Sequence, residues 1–79
     1  MKIFLETRGP LKEYFKGQEK SRKIKLKIST GRSIIDLINQ HKIPKGFVSL
    51  VSVNGKKEGL NYKIKEGDLI KLYPPTGGG

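Results

Sequence analysis

The sequence contains no cysteine and no tryptophan, a single histidine and a single methionine, and seven acidic residues against seventeen basic ones. Without cysteine no disulfide staples the fold, no thiolate site holds a metal and no thiol serves as nucleophile. Any sulfur that this chain handles therefore comes from outside it. His41 has no second histidine to share a metal, and near a helix C-terminus it reads as an exposed side chain without a catalytic role. No apolar run approaches the ~20 residues of a membrane span. The start, MKIFLETRG, meets a glutamate too early for a signal-peptide core. A cytoplasmic protein with no membrane partner is expected.

What is present is a short, basic chain. Its 79 residues, 34% of them hydrophobic, support one domain around one small core. The net charge of +10 is large for this size, and six basic residues fall between Lys16 and Lys27. Such a field attracts nucleic acid, an anionic membrane or an acidic protein, and weakens with salt. The same composition also suits a solvated lysine-rich surface or a hot habitat, so charge alone does not choose. Arg22, Lys23, Lys25 and Lys27 form the candidate anion-binding group. The few aromatics do not interleave with them along that segment, which weighs against stacking on single-stranded nucleic acid.

Hydrophobic periodicity sets the elements. KIFLET alternates, with Ile3 and Leu5 on one face and Phe4 on the other, as a half-buried strand does. After Gly9 and Pro10, LKEYF has room for one helical turn. KIKLKI puts Ile24, Leu26 and Ile28 inward and Lys23, Lys25 and Lys27 outward, and the lysines suit an edge strand protected from association. In SIIDLINQHK the period changes: Ile34, Leu37 and Ile38 make a helical stripe, and Ser33 with Asp36 has capping-box spacing. This predicts a helix over about residues 33–42, stopped ahead of Pro44. FVSLVSVNG predicts a third strand closed by an Asn-Gly turn. KKEGLNYKI reads as irregular, with one short strand around Tyr62–Ile64. KEGD then turns into a last strand, DLIKLY, with Ile70 and Leu72 inward and Leu69 and Tyr73 outward.

One helix among four or five strands implies an α+β fold, a mixed sheet covered on one face. The domain spans 1–73, and 74–79 form an extended tail. If the first and last strands pair centrally, Phe4, Leu69 and Tyr73 meet on the uncovered face, joined by Leu50 or Val48. Those residues are the candidate partner-docking patch.

MKIFLET, SIIDLI, the VNG turn, KEGDLIKLYPP and the final Gly78-Gly79, in this order and at these separations, resemble the ubiquitin-like β-grasp sulfur carriers. The likeness is to the molybdopterin synthase small subunit and the thiamine-pathway sulfur carrier, and it spans the whole chain. The resemblance implies a β-grasp fold whose terminal glycine, Gly79, is adenylated by an E1-like enzyme and converted to a thiocarboxylate. It implies a carrier rather than an enzyme, with no cofactor of its own and with ATP used by the activating partner. Further partners would be a sulfur donor and an acceptor enzyme or synthase large subunit serving molybdopterin, thiamine or tRNA thiolation. The chain departs from those carriers in charge, since they are usually neutral to acidic.

The tail suits that chemistry. Threading a carboxylate into a closed pocket favours Gly77, Gly78 and Gly79, whose backbone approaches closely without side-chain collision. Pro74 and Pro75 hold the base extended and limit the entropy lost on binding. Two other readings stay open: a ubiquitin-like modifier conjugated through Gly79, and a basic nucleic-acid-binding β-grasp module.

Overall fold

Alternation in the first strand, β1 (Lys2–Thr7), sends Ile3, Leu5 and Thr7 into the core and leaves Phe4 and Glu6 on the other face. The computed structural model describes residues 1–17, 22–44 and 46–75. Within them the chain continues through a 3₁₀ helix (Gly9–Tyr14), β2 (Ile24–Lys27), α1 (Ile34–Gln40), β3 (Leu50–Val53), β4 (Lys56–Glu58) and β5 (Leu69–Tyr73). The strands form one five-stranded sheet in the order β2-β1-β5-β3-β4. β1 and β5 run parallel at its centre, and the other pairs are antiparallel.

Helix α1 covers one face. Its Ile34, Leu37 and Ile38 join Ile3, Leu5, Val51, Val53, Ile70 and Leu72 in a single apolar core. This is the mixed-sheet, one-helix architecture that the periodicity implies and the β-grasp arrangement that the resemblance implies, with β2 at an edge as its lysines suggest. The 3₁₀ helix adds to the core from the side. It buries Leu11, and Phe15 just beyond it is buried as well, so these residues close the core from that side.

Both ends of α1 are built from local chemistry. Ser33 Oγ accepts from the Asp36 N–H and the Asp36 carboxylate accepts from the Ser33 N–H, a reciprocal capping box. Those donors hold the Asp36 carboxyl below its ordinary value, the Ser33 N–H first and its hydroxyl second. The N–H groups of Ile34 and Ile35 donate to the carbonyls of Tyr62 and Leu60. This explains a difference from the sequence reading. Residues Tyr62–Ile64 do not form a strand, because their backbone is engaged with the start of the helix, through a lone bridge between Ser33 and Lys63 and through Ile64 N–H on the Arg32 carbonyl. The fourth strand is instead Lys56–Glu58, which follows directly from the Asn54-Gly55 turn. Both turn residues have positive φ, 54° and 85°, as a tight hairpin requires.

At the other end His41 caps the helix and Lys42 adopts φ 56°. Lys42 N–H donates to the Asn39 carbonyl and Ile43 N–H to the Ile38 carbonyl, a Schellman closure with Ile43 buried behind it. A lysine in this left-handed position carries a steric cost that glycine lacks. Lys42→Gly is therefore expected to stabilise the fold by about 0.5–1 kcal/mol after the greater freedom of glycine in the unfolded chain is counted. Thermal melting checks it: Tm should rise by a few degrees, and a fall would mean that the lysine side chain contributes more than its backbone strain costs.

His41 is not the exposed residue that its position suggests. It is half-buried, with its ring centroid 4.5 Å from that of Phe15 and its Nδ1 donating to the Leu37 carbonyl at 3.1 Å. Its place is in the packing between the helix end and the 3₁₀ segment. No helix among the described residues is long and apolar enough to cross a membrane.

Candidate functional site

The site builds outward from β5. This strand is held on both sides, by β1 and by β3, and its last carbonyl, on Tyr73, accepts from the Ser49 N–H at 2.8 Å. Pro74 and Pro75 then follow. Neither carries an N–H, so neither donates to a ladder and β5 stops at Tyr73. Gly9, at φ 55°, turns the chain away from β1 beside Pro74; a Cβ at Gly9 would sit 3.5 Å from the Pro74 Cγ. Pro74 and Pro75 thus leave between two loops and line a shallow apolar cleft with Pro10, Gly46 and Phe47. Thr76–Gly79 lie outside the described residues, and with them the expected reactive residue Gly79 and the access residues Gly77 and Gly78.

Phe47 and Pro10 are the residues that the sequence reading misses at this site. Phe47 is 44% exposed, among the most exposed large apolar side chains described. The signal was available in the Pro-x-Gly-Phe run: a turn just ahead of an aromatic places that aromatic before the strand, where alternation no longer assigns it a face. Read as the first residue of the third strand, Phe47 carries no special meaning. In the structure it precedes β3 and flanks the exit of the chain.

All four residues of the expected docking patch lie on the open face, but in two pairs rather than one patch. The register sets Phe4 beside Leu69 and Leu50 beside Tyr73. Between the pairs runs a polar row, Glu6 beside Lys71 beside Ser52. The Tyr73 pair is the one next to the chain exit, and the Arg8 guanidinium lies 6.0 Å from the Tyr73 ring centroid while pairing with Glu6 at 3.9 Å. Val48 shares a shallow depression with Leu50, toward β4. It also packs against the core and, with Ile35, Ile38 and Leu60, lines a second one beside the helix.

The anion-binding candidates sit at the other end of this face. Lys25 and Lys27 project from edge strand β2 into solvent, and Lys23 Nζ stands 5.4 Å from the Phe4 ring centroid. Arg22 is exposed just before them. Interleaving of aromatic and basic side chains, absent along β2, is therefore present across strands, because register brings Phe4 opposite Lys25.

Asp68 is the one buried carboxylate among the described residues, 5% exposed, and it is structural. It accepts from Asn54 Nδ2 (2.9 Å), Tyr62 Oη (2.9 Å) and the Lys65 N–H (2.8 Å), while Asn54 Oδ1 accepts from the Leu69 N–H. Burial alone would push its carboxyl up, but the Lys65, Asn54 and Tyr62 donors outweigh burial and hold it below the ordinary value. The Tyr62 hydroxyl is pushed up, by burial first and by its bond to Asp68 second. This cluster fixes the approach to β5. No group of acidic and histidine side chains that could hold a metal occurs among the described residues.

Comparison with known proteins agrees with this geometry. Among solved structures the chain is similar to SAMP1 from Haloferax volcanii, at 19% identity and a TM-score of 0.67 over the whole of both chains. It is similar to a putative molybdopterin converting factor subunit 1 from Pyrococcus furiosus, at 17% identity and a TM-score of 0.67, covering 96% of this chain and 99% of that one. It is also similar to a chain in the complex of subunits 1 and 2 of the molybdopterin-converting factor from Helicobacter pylori, at 24% identity and a TM-score of 0.58 over both chains in full. At these identities the likeness establishes a shared ubiquitin-like fold. No curated protein sequence matches the chain. The family model described as Mut7-C ubiquitin matches residues 1–77, which is nearly the entire sequence, and the chain belongs to that family.

Proposed function

We propose that this protein is a ubiquitin-like sulfur carrier whose Gly79 carboxylate is activated by an E1-like enzyme. The observation that carries the reading is the exit of the chain: a central strand that ends on two prolines between the Gly9-Pro10 and Gly46-Phe47 loops and leads in sequence to three glycines. A carboxylate oxygen of Gly79 attacks the α-phosphorus of ATP held by the partner, the α–β anhydride bond breaks and pyrophosphate leaves. Hydrosulfide supplied by a sulfur donor then attacks the acyl carbon, and AMP leaves with the C–O bonding electrons. The product is a terminal thiocarboxylate. The activating enzyme supplies the positioning and the charge stabilisation, so the carrier needs no acid, base or metal of its own. Tyr73, Leu50 and Phe47, around the exit, are the contacts that dock the partner while the tail enters its pocket. The complex of subunits 1 and 2 in the Helicobacter pylori protein supports an acceptor of the synthase large-subunit kind.

A second reading, conjugation of Gly79 to a lysine of another protein, is favoured by the likeness to a small archaeal modifier protein. Both readings start from the same acyl-adenylate. The test is exchange of labelled pyrophosphate into ATP by the E1-like enzymes of the source organism in the presence of this chain. Chain-dependent exchange is expected, followed on addition of sulfide by a mass gain equal to one oxygen replaced by sulfur. No exchange with any of those enzymes overturns the proposal. Exchange followed only by isopeptide adducts assigns the modifier role.

A further inference from the structure

We propose that the end of the open sheet face formed by β1 and β2 binds single-stranded nucleic acid, with Phe4 as its stacking platform. The face is basic where β1 meets β2. Lys2 and Lys27 stand directly opposite one another in the antiparallel register, Lys25 stands opposite Phe4, and Lys23 Nζ is 5.4 Å from the Phe4 ring centroid. Like charges placed directly across a strand pair are destabilising. The Lys2–Lys27 register thus brings two positive side chains to facing positions, which one anion can bridge.

The acid–base balance of the face sharpens this. The outward positions of β1 hold one carboxylate, Glu6, and it is drawn to Arg8 at 3.9 Å in the direction of Tyr73, away from the lysines. The Glu66 carboxylate accepts from the Lys2 backbone N–H at the start of β1. Lys2, Lys25 and Lys27 therefore face solvent without an acidic side chain from their own strands among them.

Geometry selects the kind of anion. Lysines at alternate residues of a strand repeat every ~7 Å on one face, a step close to that between successive phosphates of an extended single strand. Phe4 lies on the neighbouring strand at the level of Lys25, partly exposed, with Leu69 on its far side. A line of cations with an aromatic ring set beside it is what a single strand engages, its phosphates on the lysines and one base on the ring. A duplex keeps its bases stacked inside and cannot use the ring. An acidic protein surface would answer the lysines alone. The site is separated from the Tyr73–Leu50 pair by the Glu6–Lys71–Ser52 row, so it does not depend on the carrier chemistry of the tail.

Fluorescence anisotropy with labelled oligouridylate and oligothymidylate of about ten nucleotides tests it, a length within the span that one small sheet surface covers. Binding at about 50 mM salt, weakening steeply by about 200 mM, is expected. Lys25→Gln together with Lys27→Gln should flatten the plot of log affinity against log salt by about 0.7 for each phosphate that is no longer neutralised. Phe4→Leu, which keeps an apolar neighbour for Leu69 and removes the ring, should weaken binding at least about fivefold while leaving the salt slope unchanged. Circular dichroism of each variant verifies folding. Absence of binding at the lower salt overturns the proposal. So does indifference to Phe4→Leu with equally tight binding of polyglutamate or a duplex of the same length, which would assign the patch to acidic surfaces in general. A preference between the two oligonucleotides distinguishes RNA from DNA as the ligand.

Discussion

Adding a single alanine after Gly79 is expected to abolish ATP-dependent activation while leaving the melting temperature unchanged. The two halves of that expectation have separate physical causes. Extension converts the Gly79 carboxylate into an amide carbonyl, which does not attack phosphorus. The new carboxylate sits one residue further on, a displacement of ~3.5 Å. Reactions that depend on a near-attack geometry lose about a hundredfold in rate for a misplacement of about 1 Å. The added Cβ also collides wherever the partner pocket admits only glycine. Stability is untouched because the buried apolar core runs from Ile3 to Leu72 and the last backbone bond of β5 closes on Tyr73. Pyrophosphate exchange and a thermal melt on the same preparation check both halves. Exchange at the parent rate would show that the reacting group lies elsewhere in the chain. A lowered Tm would show that the tail belongs to the fold, which separates a failure of chemistry from a failure of structure.

The legibility of this protein in its sequence follows the range over which each cause acts. Period-two alternation in KIFLET, KIKLKI and DLIKLY and the 3.6-residue stripe of SIIDLI are local, and each of those elements stands where its pattern puts it. The Ser33–Asp36 cap was equally legible, since both its partners lie within one turn. The central pairing of β1 with β5 follows because a single helix between two hairpin-like halves leaves few other ways to close the sheet; that the pair is parallel emerges only in the structure. Long-range causes were not legible. Residues Tyr62–Ile64 look like a strand in isolation, and only the folded chain shows their backbone committed to the helix start. Alternation places the candidate docking residues on the open face, yet the polar row dividing them depends on the strand register, which no single segment encodes. Phe47 owes its place to the same kind of cause, since it lines a cleft with Pro74 and Pro75, distant in sequence. The interleaving of Phe4 with lysines is the same kind of case, invisible along one strand and present across two.

Asp68→Ala is expected to be among the most damaging single substitutions in the fold, at about 3 kcal/mol, because it leaves several donors in a part-buried cluster without an acceptor. Stability for a domain of this size is of order 4–12 kcal/mol, so the loss corresponds to a Tm lower by more than ~10 °C. Asp68→Asn is the more informative change. An amide in this place can present its oxygen to Tyr62 and Lys65, but its NH₂ then faces the NH₂ of Asn54. Asn54 cannot turn over to accept, because its oxygen already takes the Leu69 N–H. The substitution therefore costs stability at neutral pH through one donor–donor contact. The pH dependence follows from the direction of the shift. The Asp68 carboxyl is held below its ordinary 3.8, so its contribution is complete at neutral pH, declines as pH falls through the unfolded value and is gone beneath the folded one. Denaturant unfolding from about pH 7 down to about pH 2 should show the parent losing stability across this acid window and Asp68→Asn losing less. A residual slope in the variant is expected from Asp36, whose carboxyl is also held low by Ser33. Identical acid profiles for parent and variant would mean that the cluster around Asp68 is not formed in solution, and with it would go the account of how the approach to β5 is fixed.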